Sequence, residues 1–248
     1  MSAELIITLS LLLSAATIIQ SLTGFGFGLF VIASVTLFTA IPVSTTAFLI
    51  SALSLVNAAE LAIRQRQHIH RRMVVWVLAL GLPAIGLGFW LLEWLSGQNR
   101  QMLMLILGVC IIVCSALLLI KRKGLNRESR GWQFGVAGAI GGILGGLFST
   151  FGPPVIFQCY RQPWTIEQVR ATLLAIFSIS AIARLAMVPF GTIPDTATLW
   201  YTLAAIPLVM LSTRFARYLA TFIAASHIRT MAIIMLFASG ISLILKAL

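Results

Sequence analysis

Two glycine-broken apolar stretches, 126 residues apart, constrain this chain more than any other feature. Leu22-Thr23-Gly24-Phe25-Gly26 lines up with Phe148-Ser149-Thr150-Phe151-Gly152. The same offset, carried forward without a gap, pairs Val43 with Val169, Thr46 with Thr172 and Ser54 with Ser180. One repeat is therefore about half of the 248-residue chain. Hydrophobic segments interrupted at matching places in two halves are the sequence mark of a transporter's binding site.

The surroundings of these breaks are of membrane grade. The chain is 60% hydrophobic and 9% charged, with a mean hydropathy of +1.04. A soluble domain of that composition would have almost no polar surface to cover its core. The net charge of +11 does not mark a nucleic-acid binder, because the basic residues are absent before Arg64 and then gather in short breaks between apolar runs. Those breaks are 64–72, 121–130, 161–170 and 214–229. Cytoplasmic loops have this pattern under the positive-inside rule. Cys110 and Cys114 lie a turn apart inside an apolar run and read as buried thiols rather than a metal or redox pair.

A helix needs about 20 apolar residues to span a bilayer. Single spans are expected at 43–63, 73–95, 101–120, 165–190, 196–213 and 227–247. The regions 4–41 and 131–162 are instead broken by Gly, Ser, Thr and Pro. Each reads as a hairpin of two shorter helices, 5–20 with 27–39 and 132–147 with 154–160. If 131–162 crossed once, the basic residues after it would lie outside. If it enters and leaves on one side, every basic residue except Arg100, Arg184 and Lys246 falls in the cytoplasmic breaks. The hairpin reading places both termini outside and gives each half an odd number of crossings. The expected fold is an all-α integral membrane protein of two inverted repeats, each of about five helical segments and each opened by a broken hairpin. The first repeat covers 1–120 with its tip at 21–28, the second 131–248 with its tip at 148–154, and 121–130 is a basic cytoplasmic linker.

Irregular backbone at membrane depth is tolerated only when buried in protein or facing a watery cavity, so the tips should face each other or a shared cavity. Each tip starts a helix, whose unpaired N–H groups and positive dipole end suit an anion with several acceptor oxygens. Gly24, Gly26, Gly28 and Gly152 permit close approach, Thr23, Ser149 and Thr150 add hydroxyls, and Pro153 fits a helix start. The bland reading is that these small residues only let helices pack. Arg184 stands six residues before Phe190, roughly 9 Å from the expected helix end. It either snorkels to the outer interface or gives a cavity its fixed positive charge. Asn57 is either a site residue or interhelical glue. Gln20 and Gln158 flank the tips. No His, Asp or Glu adjoins either tip, which argues against an enzyme or a metal centre, and no cofactor is expected.

The run Gly145-Gly146-Leu147-Phe148-Ser149-Thr150-Phe151-Gly152-Pro153-Pro154, followed by Ala171-Thr172, resembles the TauE/SafE sulfite exporter family of membrane transporters. The resemblance extends over essentially the whole chain, including its length, two-half layout and basic central linker. It departs from the family pattern at Pro153 and Pro154, where glycines are more typical. The resemblance implies transport of a small sulfur oxyanion or organosulfonate across the bacterial inner membrane by alternating access. An anion channel of the same build and a structural membrane protein are the alternatives. The partners implied are the small anionic substrate and the lipid bilayer, and a homodimer is left open.

Overall fold

In an apolar solvent the backbone must satisfy its own hydrogen bonds, and a chain this hydrophobic does so as helices. The computed structural model describes residues 3–23, 26–119, 125–219 and 225–247. Among the described residues ten α-helices follow in order: α1 (Ala3–Thr23), α2 (Phe27–Phe38), α3 (Val43–Arg64), α4 (Arg71–Gln98), α5 (Arg100–Leu119), α6 (Gly131–Phe148), α7 (Gly152–Tyr160), α8 (Ile166–Ala186), α9 (Thr196–Leu219) and α10 (Ala225–Ala247). Single 3-10 turns occupy Arg66–His68 and Val188–Phe190.

Among the described residues five helices are long and apolar enough to cross a membrane, at Glu4–Leu22, Arg71–Gly97, Gly131–Phe148, Ile166–Phe190 and Thr196–Ala216. The arms of each broken segment are unequal. With 21 residues α1 rises about 31 Å, whereas α2 with 12 and α7 with 9 rise about 18 and 14 Å. The shorter arms cannot traverse ~30 Å of hydrocarbon alone.

Several helix ends differ from expectation for identifiable reasons. Helix α1 runs on to Thr23 rather than Gln20, and α8 stops at Ala186 rather than Phe190. Proline at 189 cannot continue the i to i−4 ladder, so the chain tightens into the 3-10 turn there. A capping box starts α8: the Gln168 N–H donates to Thr165 Oγ1 while Gln168 Oε1 accepts from the Thr165 N–H. Helices α4 and α9 run through Pro83 and Pro207 and extend past 95 and 213.

The most extensive helix contacts join the first five helices to the last five: α4 on α6, α5 on α10, α3 on α8 and α1 on α9. Leu13, Phe27, Ile32, Ile50, Leu92 and Leu107 fill the main core, and Val77, Ile85, Phe134, Val155 and Leu173 a second one around α4, α6, α7 and α8. The periphery is apolar as well: Trp76, Leu80, Leu87, Trp90, Leu211 and Phe215 are exposed, as befits side chains bathed in lipid.

A glycine seam locks α4 to α6. A Cβ on Gly138 would sit 2.2 Å from the Val77 carbonyl oxygen, on Gly142 2.3 Å from that of Gly81, and on Gly146 2.2 Å from that of Ile85. From the other side, a Cβ on Gly88 would sit 2.1 Å from the Ile143 oxygen. The i, i+4 spacing of the α6 glycines brings the two backbones into direct contact, where van der Waals packing holds membrane helices together. Gly142→Val is therefore expected to destabilise the detergent-solubilised protein by about 1–3 kcal/mol or more, read as a lowered melting temperature. Gly97→Ala, whose methyl would meet nothing within 4 Å, is the matched control. Equal melting temperatures for the two variants would refute the seam.

Candidate functional site between the hairpin tips

The two tips meet. A Cβ on Gly28, in the first turn of α2, would lie 2.8 Å from Thr150 Oγ1 and 3.0 Å from the Ser149 carbonyl oxygen. The contact needs unusual backbone on both sides. Gly26 takes a left-handed φ of 98° before α2, and Ser149 closes α6 at φ 54°. A left-handed serine is strained relative to glycine, and surrounding contacts must hold it. Its N–H donates to the Gly145 carbonyl at 2.9 Å, and its Oγ donates to the Ala47 carbonyl on α3 at 2.6 Å. Ser51, one turn further along α3, lies 2.9 Å from the same Oγ.

Beside this contact is a small cavity, partly open to solvent. The first tip gives it Gln20 and 26–29; the second gives it Gly145 and 149–152. Helix α3 contributes Ser51 and Ser54, and α8 contributes Phe177, Ser180 and Arg184. Of the sequence-predicted residues, Gly26, Gly28, Ser149, Thr150, Gly152 and Arg184 line it. Thr23 ends α1, its side chain is outside the described residues, and Gly24 is outside them altogether.

Pro153 and Asn57 are buried but do not line the cavity. Asn57 bridges three helices: its Nδ2 donates to Gln20 Oε1 at 2.7 Å, and its Oδ1 accepts from the Thr213 hydroxyl at 2.9 Å. It holds Gln20, which does reach the cavity. Gln158 is buried, and its backbone carbonyl accepts from the Gln162 amide.

Arg184 is the charged residue in the lining. It is only 3% exposed, and its Nε donates to the Gly146 carbonyl at 3.0 Å. Its guanidinium lies 4.5 Å over the Phe89 ring, a cation–π contact that fixes the plane of the fork. One oxygen of the Glu93 carboxylate, Oε2, accepts from the Thr192 N–H and hydroxyl at 3.0 and 2.6 Å. The arginine is held from the interior and does not snorkel to the interface.

The remaining donors are unevenly shared. Among the described residues the Phe30 N–H is the first in α2 with a partner, the Gly26 carbonyl, and those of Phe27, Gly28 and Leu29 stand at the positive helix end. Pro153 and Pro154 carry no N–H, so α7 brings Gly152 and little more. The hydroxyls of Thr150, Ser54 and Ser180 donate to nearby backbone carbonyls, and each can turn its proton to a guest at little cost. Such a site suits a small anion.

Ser51, Ser54, Phe177 and Ser180 were not among the expected site residues, yet the sequence contained their signal. The 126-residue offset relates Ser51 to Phe177 and Ser54 to Ser180, just as it relates Gly26 to Gly152. All six line the one cavity.

A helical membrane bundle whose polar cavity lies between two broken helices has the build of a membrane transporter rather than an enzyme. The family described as "Sulfite exporter TauE/SafE" matches residues 9–243, and the chain belongs to that family. A Cupriavidus necator protein described as "Probable sulfite/organosulfonate exporter TauE" is 33% identical over 252 residues, covering 100% of this chain and 98% of that protein. A Comamonas testosteroni protein described as "Probable inner membrane transporter protein TsaS" is 28% identical over 176 residues, covering 69% of this chain and 73% of that one. No solved structure matches the chain.

Asn57→Ala is expected to lower the melting temperature by the loss of two interhelical bonds, at about 0.6–2 kcal/mol each. An unchanged melting temperature would show that the Gln20–Asn57–Thr213 bridge holds nothing.

Proposed function

We propose that the protein is a secondary transporter carrying a small sulfur oxyanion or organosulfonate across the bacterial inner membrane by alternating access. The observation that carries this reading is the Arg184 guanidinium, buried at the cavity where the two tips meet. Arg184 and the first turn of α2 line one space, which suits an anion with several oxygens. The names of the Cupriavidus and Comamonas relatives supply the sulfur chemistry, the direction of export and the inner membrane.

Helix pairing is consistent with a two-fold relation between α1–α5 and α6–α10, the inversion itself resting on the odd number of crossings in each half. Exchanging the halves turns α4 on α6 into α9 on α1, α4 on α8 into α9 on α3, and α2 on α10 into α7 on α5, all of them packed pairs. With the basic breaks in the cytoplasm, both termini lie outside. The parts that rock are not the sequence halves themselves. The glycine seam joins α4 of one to α6 of the other, and separating them would expose two bare backbones to lipid.

Arg184→Ala is expected to abolish sulfite-induced thermal stabilisation and vesicle uptake, with Arg184→Lys retaining part of both. Wild-type transport in the alanine variant would remove Arg184 from the site. Uptake by the wild type should saturate and support counterflow; a linear, non-exchanging flux would instead make the protein a channel.

A further inference from the structure

Helix α8 carries a second arginine, which the cavity itself does not use. Arg170 reaches the end of α1, where one terminal nitrogen donates to the Leu22 carbonyl at 2.6 Å and to the Ser21 carbonyl at 3.2 Å. Gly26, four residues beyond Leu22, has already left the helix at φ 98°, so among the described residues the Leu22 carbonyl takes the guanidinium in place of a helical N–H. Arg184 makes the corresponding contact with the other hairpin, donating to Gly146 two residues before α6 ends. One helix therefore clasps the closing ends of both entering arms.

The two clasps lie 14 residues apart, about 21 Å along α8 and within roughly 40° of the same face. The matching positions on α3, after the 126-residue shift, are Ser44 and Ala58. Both positive charges thus belong to α8. Helix α3 holds the second tip through neutral groups, the Ala47 carbonyl and Ser51, against Ser149.

The charge has a consequence for an anion. Each arm ends in carbonyls equivalent to roughly half a negative charge. Gln20, one residue before Ser21, lines the cavity, so the end of α1 borders the space in which an anion would sit. Uncompensated, that end would repel it. We propose that Arg170 is a positioning residue of the anion site. It pins the end of α1, and with it the turn at Gly26 that aims the N–H groups of α2. It also cancels the carbonyl charge that opposes binding. This rests on the anion-carrier reading above.

The test uses the full chain in detergent and in lipid vesicles, with sulfite as the probe. Wild type, Arg170→Gln and Arg170→Lys are compared by ligand-free melting temperature, sulfite Kd from thermal-shift titration, and the KM and Vmax of uptake. Arg170→Gln is expected to raise Kd and KM about tenfold, and Arg170→Lys to stay within about threefold of wild type. A purely structural cap would lower the ligand-free melting temperature of Arg170→Gln and leave its Kd unchanged, which would overturn the proposal. Should the glutamine variant not fold, the lysine variant decides: a Kd more than about tenfold above wild type overturns it. A wild type with no response to sulfite takes down the anion-carrier reading and this proposal with it. A responsive wild type with unaltered Arg170→Gln affinity takes down this proposal alone.

Discussion

Lipid offers no hydrogen bonds, and every helix broken inside it must find partners for the carbonyl and N–H groups that the break sets free. This chain breaks two helices, after Thr23 and after Phe148, and much of its polar chemistry answers that need. The end of α1 receives the Arg170 guanidinium, and the end of α6 receives Arg184. The left-handed Ser149 turns its own N–H back to Gly145 and its hydroxyl across to Ala47. Arginines meet carbonyls at both broken ends, and the start of α2 lines the cavity between the tips. On the anion-carrier reading, that arrangement is what receives the substrate's negative charge.

The glycine seam between α4 and α6 belongs to the same construction. Gly146 serves it twice, since its missing side chain lets α6 lie against Ile85 on α4 and its carbonyl receives Arg184. Phe89, a turn further along α4, supplies the ring beneath the guanidinium. Close helix packing and the placement of the site's charge are therefore one event. A side chain on Gly146 would separate the helices and carry away both of the arginine's supports.

Much of the fold was legible in order and approximate length. Runs of about 20 apolar residues in a basic-punctuated chain are helices, and Gly, Ser, Thr and Pro inside them are breaks. The 126-residue offset also marked Ser54 and Ser180, which repeat at corresponding places and line the cavity together. Helix ends were less legible. Helix α1 runs three residues past the expected end, and two of its last carbonyls meet a partner in α8, far away in sequence. Asn57 illustrates the remaining gap, because composition cannot distinguish an amide that faces a ligand from one that ties three helices together.

The sequence by itself determined that the chain is a helical membrane protein with two matched interruptions, because hydrophobicity, charge placement and backbone breaks are local properties. It also led to the proposal of an anionic substrate, since a helix start in an apolar setting presents N–H groups wherever it points. Only the tertiary structure decided that Gly28 and Thr150 touch, that Arg184 turns inward over Phe89, and that Arg170 caps a helix 148 residues earlier in the chain. These depend on how helices distant in sequence cross. Crossing geometry is set by which small residues let two backbones meet, a property of the pair and not of either stretch of sequence alone.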